Sequence, residues 1–203
     1  SYPDYEVRQA YTSQMVIDKI KDREGLEVDN VEAAVLKLID EGFGTLVVQP
    51  THVIAGNEYT KMQEDLAPLT DYFVQTVTGQ PLLTDTADYQ RVIGSLLSEL
   101  ISYTDNGVSF VLVGHGSDHS SNSVYAEFEN AFREQGLLDY YVGTIEAEPG
   151  IEEIIGKIKE TDTGKVVLIP LMIVAGDHAF NDVAGDNPYS RKSHVEAAGY
   201  EVE

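Results

Sequence analysis

Apolar and polar positions along this chain follow two alternating patterns. Short apolar runs rich in β-branched residues predict strands buried on both faces, and apolar residues three or four positions apart predict helices between them. Strands are expected at residues 5–11, 45–50, 73–77, 109–114 and 140–145, and two more begin at Val166 and Tyr200. Helices are expected at residues 15–20, 31–39, 58–72, 86–102, 121–135, 151–160 and 189–198. Because strands and helices alternate, the pattern predicts an α/β fold with parallel sheets flanked by helices.

A linker-like stretch near residues 81–88 predicts a boundary between two α/β lobes. We assign residues 1–86 to an amino-terminal lobe and residues 87–203 to a carboxy-terminal lobe that carries the candidate site. A chain of 203 residues can bury a core in one large domain or in two small lobes.

Composition and charge narrow the classes of function. The chain has 35 acidic and 13 Lys or Arg residues, and its net charge of −22 argues against nucleic acid as a partner. It has no cysteine, so any bound metal must be held by nitrogen and oxygen. No apolar run approaches the roughly 18 residues of a membrane span, so no membrane association is expected. The polar amino terminus shows no signal peptide and favours a cytoplasmic protein, although a mature exported protein would look the same.

Two histidines and a glutamate stand at the ends of predicted strands. His115 lies between Gly114 and Gly116, Glu146 ends the next strand, and His178 is expected just beyond the strand after that. Ligands of open α/β sheets bind outside the carboxyl ends of the strands, so these residues are candidates for a shared site. Imidazole and carboxylate ligands suit cobalt, nickel, iron(II) or zinc. In the structural alternative each histidine holds a tight turn, and Glu146 is a neighbour of a helix cap.

Asp177 and Asp182 flank His178 and either orient its ring or cap the following turn. Three protein ligands would leave coordination positions open, which is typical of a metal that is handled or reacts. No Ser-His-Asp order, Walker loop or Gly-x-Gly-x-x-Gly motif occurs, so the sequence shows no phosphate-binding machinery.

The remaining histidines are weaker candidates. His52 follows another predicted strand, and Glu58 begins the next helix. For each of these two residues, a functional role and a structural role are equally supported. His119 is expected in a solvated loop and His194 on a helix surface.

Four motifs resemble those of a known family. They read Gln49-Pro-Thr-His-Val-Ile-Ala-Gly-Asn-Glu-Tyr59, Val113-Gly-His-Gly116, Val142-Gly-Thr-Ile-Glu146 and Pro170-Leu-Met-Ile-Val-Ala-Gly-Asp-His-Ala-Phe-Asn-Asp182. In order, from about Tyr11 to Tyr200, the chain resembles the anaerobic cobalt chelatases of the CbiK type. These class II chelatases insert Co²⁺ into sirohydrochlorin on the early-cobalt route to cobalamin.

The resemblance implies two Rossmann-like lobes with a tetrapyrrole cleft between them. His115, Glu146 and His178 would bind the incoming metal, and His115, His178 and Glu58 would be catalytic. One histidine would take pyrrole protons, and Glu58 would influence metal or proton traffic. Co²⁺ would be the substrate metal, with Fe²⁺, Ni²⁺ or Zn²⁺ as substitutes, and no ATP would be needed. The expected partners are sirohydrochlorin and a divalent metal, and a homo-oligomer is left open.

Family members begin with an apolar strand and a Ser-Phe-Gly-Thr-like turn that are absent here, and they continue beyond residue 203. The chain is therefore expected to be incomplete or trimmed. Two alternatives stay open: insertion of Fe²⁺ or Ni²⁺ into the same tetrapyrrole, and a tetrapyrrole or metal carrier without turnover.

Overall fold

The computed structural model describes residues 4–103, 107–174 and 176–203. Contacts divide the chain into two compact units. One contains the chain up to Pro50 with Asn57–Gln80, and the other contains Thr51–Gly56 with Pro81–Glu203. The lobe boundary expected after residue 86 stays a prediction. None of the described helices is both long and apolar enough to cross a bilayer.

The first unit is a small α/β arrangement. Its elements are α1 (Gln14–Glu24), α2 (Val31–Asp40), β1 (Thr45–Val48), α3 (Asn57–Leu66), a 3₁₀ helix (Ala67–Tyr72) and β2 (Gln75–Thr78). Among the described residues β1 and β2 pair in parallel. Asn30 caps α2, because its side-chain oxygen accepts a hydrogen bond from the N–H of Ala33 at 2.8 Å.

The prediction of a strand at residues 5–11 is wrong. Only Tyr11 pairs there, in an isolated bridge with Asn30. The alternating side chains have no core to cover, since Tyr5 is 63% and Val7 71% exposed. Alternation without burial on one face does not hold a strand in place.

The second unit contains the larger sheet. Its elements are α4 (Thr86–Glu99), β3 (Val108–Gly114), α5 (Ser123–Glu134), β4 (Tyr140–Thr144), α6 (Ile151–Ile158), β5 (Lys165–Pro170), α7 (Arg191–Ala197) and β6 (Glu201–Val202). In the described chain the strands are parallel and in the order β4-β3-β5-β6. Short 3₁₀ helices at Leu100–Ser102 and Ser120–Asn122 extend α4 and precede α5.

The central strand β3 is buried on both faces, as its apolar sequence predicts. Phe110 and Leu112 belong to a core cluster that includes Ile93 of α4, whereas Val111 and Val113 belong to a second cluster. The register places Gly114 opposite Thr144 and Val113 opposite Pro170. The carboxyl ends of β3, β4 and β5 are therefore level with one another, which positions the candidate site.

The strand that begins near Val166 ends earlier than the sequence suggested. It stops at Pro170, which has no N–H to continue the ladder, and Leu171 then donates to the carbonyl of Val113 at 2.8 Å. His178 does not lie just beyond the strand, and that prediction is wrong. It begins a π-helical turn, His178–Val183, in which the N–H of Ala184 reaches the carbonyl of Ala179 at 3.1 Å.

Candidate metal centre

The structure brings together the three residues that the sequence singled out as metal ligands. His115 follows β3 directly, Glu146 lies two residues beyond β4, and His178 begins the π-helical turn. One ligand atom from each side chain lies within 4.8 Å of the others. All three residues belong to the second unit. Among the described residues no other group of three or more His, Asp or Glu meets this test.

The two imidazole rings are arranged as ligands of one ion would be. The Nε2 atoms of His115 and His178 lie 3.2 Å apart, and the ring planes are at 88° to each other. Two nitrogens about 2.0–2.1 Å from one ion, at angles between a right angle and the tetrahedral angle, are separated by about 2.8–3.4 Å. The observed separation falls within that interval, so the rings need little movement to share a metal.

Hydrogen bonds determine which ring nitrogens carry hydrogen. The Nδ1 atom of His115 lies 3.0 Å from the carbonyl oxygen of Gly116, and that of His178 lies 2.6 Å from Asp182 Oδ2. Carbonyl and carboxylate oxygens accept hydrogen bonds, so both Nδ1 atoms are donors. In the neutral rings both Nε2 atoms then carry lone pairs, which repel each other at this distance. A shared proton or a metal ion between them removes the repulsion.

Glu146 completes the cluster through both its side chain and its backbone. Its Oε2 atom lies 3.8 Å from Nδ1 of His115, and its N–H donates to the carbonyl of His115 at 2.9 Å. The backbones of the two residues are thus fixed to each other. The carboxylate itself is 56% exposed and can rotate toward an ion.

Glycines on both sides of His115 are required by close neighbours. A Cβ atom at Gly114 would lie 2.8 Å from the hydroxyl of buried Tyr125. Gly116 has φ +87°, and a Cβ there would lie 2.8 Å from the N–H nitrogen of Ala147. Burial raises the pKa of Tyr125, although backbone N–H groups of Gly116 and His115 donate toward its hydroxyl. The turn that carries His115 therefore packs closely against Tyr125 and Ala147.

The donor set and its exposure describe an open site. The side chains of His115 and His178 are 47% and 43% exposed, so solvent or a substrate reaches both rings. Two imidazoles and one carboxylate leave positions free on a four-coordinate or six-coordinate ion. They suit late first-row divalent metals and do not choose sharply among them.

The other predicted residues lie outside this cluster. Glu58 is in the first turn of α3 in the first unit, where Thr12 Oγ1 donates to it at 3.1 Å. His52 is half-buried, and its carbonyl accepts from Leu82 at 2.9 Å. Neither observation tests a functional role, and the role of Glu58 stays a prediction.

His119 and His194 have structural contacts. His119 is half-buried, and its Nδ1 atom accepts from the N–H of Ser121 at 3.1 Å, so the residue caps a 3₁₀ turn and is not simply solvated. His194 on α7 lies 2.9 Å from Oε1 of Glu152. Asp177 directly precedes the π-helical turn, and Asp182 contacts the ring of His178.

Sequence reasoning missed Arg191, the first residue of α7. Its Nη2 atom donates to the carbonyl of Ile145 and, at 3.4 Å, to that of Thr144. These carbonyls directly precede Glu146. The contact joins residues 46 positions apart, and no local sequence pattern signals it.

Fold and site together define a class: a parallel α/β protein with a candidate metal centre open to solvent at the carboxyl edge of its sheet. The model of the cobalt chelatase (CbiK) family matches residues 1–203. The chain belongs to this family.

Two relatives agree with that assignment, and one solved structure shares the fold. The sirohydrochlorin cobaltochelatase of Salmonella typhimurium is 33% identical over 199 residues, which cover 98% of this chain and 75% of the relative. The sirohydrochlorin cobaltochelatase CbiKC of Nitratidesulfovibrio vulgaris is 30% identical over 200 residues, with coverages of 98% and 70%. The structure of SirB from Bacillus subtilis with Fe³⁺ superposes with a TM-score of 0.61 at 11% identity, covering 96% of this chain and 84% of that one. The last similarity concerns the fold alone.

Proposed function

We propose that this chain inserts Co²⁺ into sirohydrochlorin without ATP. The observation that carries the proposal is the pair of Nε2 atoms 3.2 Å apart, with a carboxylate beside them, in a member of the cobalt chelatase family. Two relatives named for this reaction match 98% of the chain.

The metal step follows from the donor set. Co²⁺ enters between the Nε2 atoms of His115 and His178, and Glu146 adds a negatively charged oxygen. Asp182 keeps the lone pair of His178 directed outward, because it accepts the hydrogen bond from Nδ1. Three exposed ligands leave free positions through which the tetrapyrrole nitrogens take over the ion.

The proton step uses the same nitrogens. Insertion of a divalent ion displaces two pyrrole N–H protons, and no electron is transferred. An Nε2 atom that releases the metal regains a lone pair, so one of the two histidines can accept pyrrole protons and pass them to solvent. The site thus gives up the ion and takes up protons in its place. The proposal also gives Glu58 a part in metal or proton traffic, which is supported by the family motif around it.

Co²⁺ is the proposed physiological metal, and the ligand set is expected to accept Fe²⁺, Ni²⁺ or Zn²⁺ as substitutes. Competition among these ions in one assay measures the preference. A cytoplasmic location, the absence of nucleic-acid and membrane partners, and the oligomeric state stay predictions. Cell fractionation and sedimentation measurements address them.

The test is an assay of purified protein with Co²⁺ and sirohydrochlorin in the absence of ATP. We expect the absorption spectrum to shift to that of the cobalt complex, and His115→Ala or His178→Ala to remove most of the rate. His194→Ala is the matched control, since His194 contacts Glu152 and not the cluster.

Wild-type rates in both cluster variants would contradict the proposal. Stoichiometric Co²⁺ binding without turnover would instead favour a carrier. A strict requirement for ATP would contradict only the proposal that insertion proceeds without ATP.

A further inference from the structure

Arg191 occupies a position that the proposed metal site does not yet explain. Its guanidinium is held against the carbonyl oxygens of Ile145 and Thr144, the last two residues before Glu146. A third donor, Nη1, lies 3.4 Å from the carbonyl of Tyr189. The Nε atom is buried and has no hydrogen-bond partner among the described residues. Burying part of a cation is unfavourable, and hydrogen bonds to its remaining nitrogens must offset this desolvation.

These contacts join two segments that carry proposed metal ligands. Arg191 begins the helix that follows the π-helical turn with His178, and the carbonyls it holds belong to the turn with Glu146. His115 and Glu146 are already joined by a backbone hydrogen bond of 2.9 Å. Within the described residues, Arg191 supplies the corresponding side-chain connection between the Glu146 turn and the segment after His178.

Side-chain hydrogen bonds add to the backbone bonds that hold the turn at Glu146. Thr144 Oγ1 accepts from the N–H of Ala147 at 3.1 Å, and the two residues share a second contact through the carbonyl of Ala147. The carbonyl of Ile145 has Arg191 as its side-chain donor. Removal of the guanidinium leaves this carbonyl without a charged donor, so the orientation of the turn is held less firmly.

Direct binding of substrate by Arg191 is less consistent with these contacts. Its hydrogen-bonding nitrogens face backbone carbonyls of its own chain, and the remaining Nε atom is shielded from solvent. Lys192, the next residue, extends to Asp186 at 2.6 Å and does not share these partners. It therefore serves as a matched neighbour with the same charge.

We infer that Arg191 is a positioning residue, which holds the Glu146 turn so that the carboxylate meets the metal bound by His115 and His178. The inference rests on the proposed function. It assigns Arg191 no contact with the metal or the tetrapyrrole. Residues that orient metal ligands typically change metal affinity about 10-fold to 100-fold when they are replaced.

The experiment measures Co²⁺ affinity by titration calorimetry in wild type, Arg191→Met, Arg191→Lys, Lys192→Met, Glu146→Ala and the double variant of Arg191→Met with Glu146→Ala. We expect Arg191→Met to weaken binding about tenfold or more. Arg191→Lys should fall between it and wild type, because an ammonium retains the charge but not the planar fork. Lys192→Met should stay within twofold of wild type.

The double variant separates positioning from general stability. If Arg191 acts through Glu146, its replacement has little further effect once the carboxylate is gone. If Arg191→Met weakens Co²⁺ binding as much in the Glu146→Ala background as in wild type, the inference is overturned. Wild-type Co²⁺ affinity in Arg191→Met would also overturn it. If Arg191→Met does not fold, the same comparison with Arg191→Lys decides. If the wild-type protein inserts Co²⁺ and Arg191→Met binds Co²⁺ as tightly as wild type, this inference alone is rejected. If the wild-type protein does not bind Co²⁺, the proposed function is rejected as well.

Discussion

Gly114 lies against Tyr125, and a side chain at this position has no room. A Cβ atom would lie 2.8 Å from the Tyr125 hydroxyl and closer still to its ring. Tyr125 is only 2% exposed and is packed in a core cluster, so it cannot move aside cheaply. The turn that carries His115 must therefore shift if residue 114 acquires a methyl group.

We predict that Gly114→Ala lowers the free energy of unfolding by about 1–3 kcal/mol, as overpacked core positions do. It should also weaken Co²⁺ binding, because the displaced residue is followed by His115. Urea denaturation and calorimetry measure the two effects. Gly156→Ala in α6 is the control, since nothing lies within 4 Å of a Cβ there. The free energy of unfolding of Gly156→Ala should rise by about 0.5–1 kcal/mol. Equal stability of Gly114→Ala and wild type would contradict the packing argument.

Individual residues differ in how far the sequence reveals them. His115 could be singled out because it follows an apolar strand and lies between two glycines, a pattern visible in a few neighbouring positions. Arg191 and Tyr125 could not, since their partners are brought to them only by the fold. The sequence indicated a candidate ligand set. It did not indicate which donors hold the set in place.

Glu129 is an acidic residue buried where α5 meets β4 and α6. Its Oε2 atom accepts from the N–H of Val142 at 2.9 Å, and its Oε1 atom lies 2.8 Å from Arg133 and 3.1 Å from Lys157. Burial opposes ionisation, but the backbone N–H and the two cations outweigh it, so the pKa of Glu129 lies below its ordinary value of 4.5. The charged carboxylate thus joins three elements of the second unit.

A carboxylate with a lowered pKa stabilises the folded protein at pH values above the unfolded pKa, and this contribution is lost as pH falls through the folded pKa. We predict that Glu129→Gln loses about 1–3 kcal/mol of unfolding free energy at pH 7. The difference from wild type should shrink as pH falls from near 4.5 toward the lowered pKa. Urea denaturation at a series of pH values measures it.

Glu153→Gln provides the comparison, because Glu153 contacts the same Lys157 at 3.1 Å but is 51% exposed. Exposed pairs contribute about 0.2–1 kcal/mol, so a small and nearly constant change is expected. A difference between Glu129→Gln and wild type that does not depend on pH would show that ionisation of Glu129 contributes nothing to stability.

Most elements of the fold could be predicted, and the exceptions have physical causes. Runs such as residues 109–114 appear as strands because both of their faces are buried. The run at residues 5–11 also alternates, but no apolar core lies beneath it. Periodicity also gave no sign of the π-helical turn at His178–Val183, because one i→i+5 turn is too short to produce a pattern.

At the scale of the whole molecule, parallel topology explains why three distant residues could be proposed as one site. Parallel strands end at a common edge, so residues after separate strands converge without any local signal that they are neighbours. The register of β3 with β4 and β5 has this effect. Distances and lone-pair directions could not be predicted from the sequence, because they depend on contacts such as that of Asp182 with His178.

The net charge of −22 is the most unusual property of the whole chain, and it makes stability sensitive to salt. The 13 cationic Lys and Arg side chains can neutralise at most 13 of the 35 acidic ones, which leaves at least 22 acidic groups in mutual repulsion. Salt weakens both the ion pairs and the repulsion. Exposed pairs contribute only about 0.2–1 kcal/mol each, so relief of the repulsion should be the larger effect.

We therefore predict that the melting temperature rises as KCl increases from 0.01 to 1 M, over which the Debye length falls from about 30 to about 3 Å. A gain of about 1 kcal/mol shifts the midpoint of a protein of this size by about 2–4 °C, which calorimetry resolves. Screening should act mostly at low salt and then level off. Sucrose is the control, because its exclusion from the protein surface stabilises without screening and has no reason to level off in the same range. A midpoint that falls with KCl would mean that the ion pairs outweigh the repulsion.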